Sequence, residues 1–249
     1  MMFTRFFDDA AVFPPGLAPL DKAVSNYVTR AKRPREYVGP LVLPLAKVVE
    51  ASGLAGDKPL EMSPVVGPDS WDDLEQVRSR LPATSQFVAA ELKVAPGDSD
   101  VQAAVAVARE ITDLPVWLEL PASALTPEMF DRLSEHHVGL KFRTGGVTAD
   151  LFPEPETLVR VIRDATAAQV PFKLTAGLHR AMRYRDEKTG FRHFGFANVA
   201  AATIAARSEE KLGEIADWIE SDDVNAVAGL VGADMAWRDS FTSFGTCSI

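Results

Sequence analysis

Short apolar runs rich in Val, Leu and Phe alternate with longer stretches of helical period along the whole chain, and this alternation most narrows the folds open to it. Eight such runs lie near residues 3–7, 37–43, 62–66, 86–93, 115–120, 137–142, 171–175 and 241–246. Between them the spacing predicts helices over 20–32, 45–53, 70–79, 99–111, 126–135, 154–168 and 196–219. Asp69 or Ser70 is expected to cap the third, Ser99 the fourth and Thr126 the fifth, where Pro127 and Glu128 suit the first turn. A crossover helix is what returns one parallel strand beside the last, so repeated β-α units build a parallel sheet. Eight such strands within 249 residues predict an α/β fold, the (β/α)8 TIM barrel, as a single domain over 1–249. An open doubly wound sheet is the alternative.

The even spacing breaks after the seventh run. Roughly sixty residues separate Lys173 from the last run, about twice one β-α unit. The expectation there is a long loop over 179–195, then one or two helices, then an irregular stretch over 221–240.

Composition closes off several classes of function. Apolar residues at 47% and charged residues at 24% are enough to bury a full core. A net charge of −9 and a pI near 5.0 exclude a wide nucleic-acid footprint, which needs a surplus of Lys and Arg. No basic leader precedes an apolar run, and no stretch reaches membrane-spanning length, so a cytoplasmic protein with no membrane partner is expected. Cys247 is the sole cysteine, which rules out an internal disulfide and any Cys-based zinc site. No cofactor and no bound metal are expected.

Several runs carry ionisable residues within apolar sequence. They read Phe87-Val88-Ala89-Ala90-Glu91-Leu92-Lys93, Val116-Trp117-Leu118-Glu119-Leu120, Val138-Gly139-Leu140-Lys141-Phe142-Arg143 and Pro171-Phe172-Lys173-Leu174-Thr175. Strand side chains alternate faces, so Leu140 and Phe142 can meet the helices only if Lys141 and Arg143 point into the barrel. The same parity sends Lys173 and Thr175 inward. Buried charge is costly unless paired or neutralised. One reading is a set of structural ion pairs joining Glu91 and Glu119 to Lys93, Lys141 or Lys173. The other is chemistry: two inward lysines on adjacent strands repel, and repulsion with desolvation favours a neutral amine able to attack a carbonyl.

Over roughly the C-terminal half, these residues resemble the class I aldolases of the deoxyribose-phosphate aldolase type. Pro115-Val116-Trp117-Leu118-Glu119-Leu120 followed by Leu125-Thr126-Pro127-Glu128-Met129 is similar to one strand of that family and the helix start after it. Lys141-Phe142-Arg143-Thr144-Gly145-Gly146 resembles the strand that carries the Schiff-base lysine. Phe172-Lys173-Leu174-Thr175-Ala176-Gly177-Leu178-His179-Arg180 resembles the strand with the second lysine, and Ser243-Phe244-Gly245-Thr246-Cys247-Ser248 the last strand. Arg143 stands where the family has a small hydroxyl residue, Ala176-Gly177 replaces a Gly-Gly pair, and the family's strand-borne aspartate has no clear counterpart at Glu91 or its neighbours. The resemblance implies a Schiff-base nucleophile at Lys141, a perturbing and proton-shuttling lysine at Lys173, and a supporting carboxylate at Glu119. It also implies that Gly145, Gly146, Gly177, Gly245 and Ser248 admit backbone amides to a phosphate or other anion.

Three further groups stand out. Asp8 and Asp9 follow the first run, and one of them, Asp9 foremost, could serve as acid, base or metal ligand, or only as a cap. Glu91, Glu119 and an N-terminal Asp could together attract a divalent cation. The 179–195 segment gathers His179, Arg180, Arg183, Arg185, Lys188, Arg192 and His193, either as an anion-binding lid hinged near Gly190 or as a solvated surface loop.

The expected activity is therefore that of a lyase of the class I aldolase kind, forming a lysine Schiff base with a small, phosphorylated or carboxylated aldehyde or ketone. Alternatives are a metal- or acid/base-dependent isomerase or lyase that stabilises an enolate, and a non-catalytic barrel that binds an anion or a partner. The catalytic candidates are Lys141, Lys173, Glu119, Glu91 and Asp9. The anion-binding candidates are Arg143, Gly145, Gly146, Gly177, His179, Arg180, Gly245 and Ser248. A small anionic carbonyl compound is the expected partner, and a homo-oligomer is compatible with the sequence.

Overall fold

The computed structural model describes residues 2–30, 32–94 and 98–247. In chain order its strands and helices are β1 (Phe7–Asp9), α1 (Leu20–Thr29), α2 (Lys32–Tyr37), β2 (Val38–Pro44), α3 (Val48–Ala55), β3 (Leu60–Val66), α4 (Leu74–Arg78), β4 (Ser85–Phe87), β5 (Ala90–Lys93), α5 (Asp98–Glu110) and β6 (Val116–Glu119). There follow α6 (Pro127–Glu135), β7 (Gly139–Arg143), α7 (Pro155–Ala167), β8 (Phe172–Thr175), β9 (Tyr184–Arg185), β10 (Arg192–His193), α8 (Phe196–Arg207), α9 (Leu212–Glu220), α10 (Val224–Ala233), α11 (Trp237–Ser240) and β11 (Phe241–Thr246). β4 and β5 both pair with β3, β4 along Leu60–Met62 and β5 along Val65–Val66, so they act as one strand interrupted at 88–89. The strand order β2-β1-β11-β8-β7-β6-β5-β3, with β2 also paired to β3, is that of the (β/α)8 barrel.

By contact density the chain divides into two compact units. One, the N-terminal unit, comprises Phe3–Leu120 and Gly245–Ile249. Within it β2 pairs in parallel with β1 and β3, and β5 with β6. Its core is aliphatic: Leu41, Leu43, Leu60, Met62, Leu92 and Leu118 are all fully buried. The first strand begins later than the sequence predicts, at Phe7 instead of residue 3, because residues 2–5 turn, with Arg5 at φ 50°. The rings of Phe3, Phe6 and Phe7 cluster there. Asp8 and Asp9 consequently belong to the strand and do not follow it.

The other unit, mainly Pro121–Phe244, is built on β7 and β8, which pair in parallel. Its central helix is α8, Phe196–Arg207, in which every residue from Asn198 to Ala206 is buried. The run of alanines explains this position, since small side chains let α7, α9, α10 and α11 all pack against one helix. Thr126 caps α6 by accepting a hydrogen bond from the Met129 amide, with Pro127 and Glu128 in the first turn, as the sequence predicts. Neither Asp69 nor Ser70 caps its helix: a 3₁₀ turn starts at Pro68, preceded by Gly67. Ser99 falls where side chains lie outside the described residues.

The insertion after the seventh barrel strand departs most from expectation. The 179–195 segment holds a two-stranded antiparallel ribbon, β9 with β10. The stretch expected to be irregular, 221–240, folds into α10 and α11. Asp223 starts α10 by accepting hydrogen bonds from the Asn225 and Ala226 amides. Among the described residues no helix is long and apolar enough to cross a membrane.

Candidate functional site

Lys141 and Lys173 stand directly opposite each other in the register of β7 and β8. Directly paired residues of parallel strands project from the same face, with Cβ atoms about 5 Å apart. Lys141 is 4% exposed and Lys173 2%, so both ammonium-bearing side chains lie in the interior. The alternate positions Leu140, Phe142, Phe172 and Leu174 are equally buried and form the apolar face of the same two strands. Lys93, which the sequence offers as a third interior lysine, is exposed.

Just beyond the lysines the two strand ends lock together through backbone. Thr144 is fully buried, its amide donates to the Thr175 carbonyl at 2.9 Å, and its hydroxyl donates to the Ala176 carbonyl at 2.6 Å. Ala176 and Gly177 are both left-handed, at φ 59° and 81°. A Cβ on Gly145 would meet Gly177 Cα at 2.6 Å, and one on Gly177 would meet the Thr144 carbonyl oxygen at 2.5 Å. Gly146 has a comparable demand, since a Cβ there would meet the Leu151 side chain. Arg143, paired in register with Thr175, is half-buried, and its guanidinium reaches the Gly145 carbonyl only at 3.5 Å. The glycines expected at an anion site thus have a first task in letting two turns cross.

His193 joins this crossing from the ribbon. Its Nδ1 lies 2.8 Å from the Gly177 carbonyl oxygen. A carbonyl only accepts, so Nδ1 carries the proton and Nε2 is the imidazole's basic face. His179 is half-buried with its ring centroid 5.7 Å from that of His193. Burial first, and the neighbouring His193 second, hold His179 below the ordinary histidine range. Arg180 is exposed and lies over the Tyr184 ring at 4.2 Å. Two cations of the basic segment read from the sequence are compensated: Arg183 Nη2 meets Asp222 at 2.8 Å, and Arg192 meets Glu220 at 2.5 Å.

The remaining candidates lie in the N-terminal unit. Glu91 is 1% exposed and accepts a hydrogen bond from the Ser63 hydroxyl at 3.0 Å. Glu119 is 8% exposed and stands opposite Lys93 in register. Asp9 is buried, meets Arg30 at 2.9 Å and accepts from the Ala11 amide, so its carboxylate is both ion-paired and a cap. Gly245 is buried on β11. Cys247 is half-buried, and burial raises its thiol above the ordinary cysteine range. Ser248 lies outside the described residues. Among the described residues no three His, Cys, Asp or Glu side chains are grouped so as to hold a metal.

Sequence reasoning assigned His193 no role beyond its charge and passed over Asn198. The Asn198 amide donates to the Trp218 and Ser221 carbonyls, and its oxygen accepts from the Arg183 amide. A buried Asn in a run of alanines was the available signal, because a buried side-chain amide must find partners.

Barrels of this class commonly house enzymes, with their sites at the C-terminal strand ends. No protein-family model matches the chain, and no curated protein is significantly similar to it.

Proposed function

We propose that the chain is a lyase of the class I aldolase kind, in which a buried lysine forms an imine with a small, phosphorylated or carboxylated aldehyde or ketone. The observation that carries this reading is the register pairing of Lys141 with Lys173, both within a few per cent of complete burial. Two ammonium groups so placed repel, and burial penalises each charge, so the pair favours losing one proton. A free amine at Lys141 adds to the carbonyl carbon, and the resulting carbinolamine loses water to give the imine. The cationic imine draws electrons from the adjacent carbon, and Lys173 takes up and returns the proton. The resemblance to the deoxyribose-phosphate aldolase type assigns the same two roles and adds Glu119 as the supporting carboxylate. Glu91 and Asp9 are further acid or base candidates. Arg143, His179 and Arg180, on and just after the strands that bear the lysines, supply positive or hydrogen-bonding groups for the substrate's anion. The acidic composition fits a small cytoplasmic metabolite better than a nucleic acid as the substrate.

Proton exchange tests this. Pyruvate, acetaldehyde and dihydroxyacetone phosphate are each incubated with the protein in deuterium oxide, and loss of the α-proton signal is followed by NMR. Exchange well above the buffer rate with at least one compound is expected, falling by at least about a hundredfold in Lys141→Met and Lys173→Met. Exchange with none of them, or exchange that survives Lys141→Met, overturns the reading.

A further inference from the structure

A second site takes shape around the β9–β10 ribbon, lined by residues to which the aldolase reading gives no role. A cavity of about 420 Å³ lies between residues 149–155, the β9–β10 ribbon and residues 220–222. That is the size of pockets that take small organic ligands. One wall is aromatic: Phe152 and Phe191 have ring centroids 5.0 Å apart, and His193 meets Phe152 edge-on at 4.9 Å. His193 is itself backed by Tyr184, stacked at 4.7 Å and 12°. These rings present faces and edges suited to a flat ligand.

The charges around the wall are unevenly matched. Arg185 and Arg192 stand directly opposite each other on the ribbon, an arrangement that is unfavourable for like charges. Glu220 compensates Arg192, and Asp222 with Glu220 compensates Arg183. Arg185 has no carboxylate within ion-pair distance among the described residues. The Nε of Arg183 is buried and has no hydrogen-bond partner among the described residues, which leaves one desolvated donor on an otherwise ion-paired guanidinium. Glu154, the other carboxylate of the lining, sits at the start of α7, where the helix dipole stabilises it. Asn198 ties the backbone of one wall residue, Arg183, to the end of α9.

We infer that this cavity binds a planar aromatic anion, its ring against Phe152 and Phe191 and its acidic group between Arg185 and Arg183. The site is separate from the imine chemistry and stands whether or not Lys141 is a nucleophile.

Calorimetric titration with 1-naphthyl phosphate tests it, with 1-naphthol and inorganic phosphate as the two half-ligands. Saturable one-to-one binding is expected, at least tenfold tighter than for either half-ligand. Arg185→Ala and Phe191→Ala should each weaken it at least tenfold while Lys141→Met leaves it unchanged. Both cavity side chains are at least partly exposed, and Arg185→Gln and Phe191→Leu serve if either alanine variant fails to fold. Absence of saturation, affinity equal in the wild type and both cavity variants, or loss of binding in Lys141→Met overturns the inference.

Discussion

Thr144 and Gly177 hold together the ends of the two strands that bear the lysines. Replacing Thr144 by Val removes the donor to the half-buried Ala176 carbonyl and should cost about 1–2 kcal/mol, read from the urea midpoint. Gly177→Ala adds a Cβ 2.5 Å from the Thr144 carbonyl oxygen at a left-handed φ, and should cost about 2 kcal/mol or more. His179 makes a pH-dependent prediction. Its folded value lies below the unfolded value of about 6.5, so the unfolded chain binds more protons between the two. Stability is therefore retained above pH ~6.5 and lost as pH falls through that value toward the folded one. Urea midpoints measured from pH 7 to 5 should fall less steeply in His179→Asn than in the wild type, and an identical slope would contradict burial of the imidazole as the cause. The inward lysines were legible because parity alone fixes their face. The pairing of His193 with Gly177 was not, since no local pattern links residues sixteen apart through a carbonyl.

Among the elements, the regular strands and helices of the barrel were readable from periodicity to within a few residues, and the insertion was not. A two-residue strand such as β9 or β10 carries no period to detect, and its existence rests on the partner across the ribbon. α10 escaped notice for the opposite reason: Val224–Ala233 is apolar and small all round, with only Val227 and Val231 buried, so no amphipathic stripe marks it. The basic ribbon segment read as a positive patch because its compensating Glu220 and Asp222 lie nearly thirty to forty residues further on. Asn198 is the element-scale lock. Asn198→Ala leaves two carbonyls and one amide without their partner, and should cost about 2–3 kcal/mol. Hydrogen exchange should then accelerate over residues 180–195 while β7 and β8 stay protected. Uniform acceleration across the unit would show that Asn198 supports the core and not the ribbon.

At the scale of the whole chain, the alternation of strands and helices dictates the barrel, and the barrel dictates where charge can be kept. Strand parity turns some positions to the interior, and the chain places Lys141 and Lys173 opposite each other where apolar residues would be more stable. The proposed imine chemistry rests on that placement. The decisive measurement is sodium borohydride reduction in the presence of the carbonyl compound that shows exchange, followed by intact mass and peptide mapping. The account predicts a single stoichiometric adduct on Lys141 that Lys141→Met abolishes. No adduct, or one mapped to an exposed lysine such as Lys93, would contradict it.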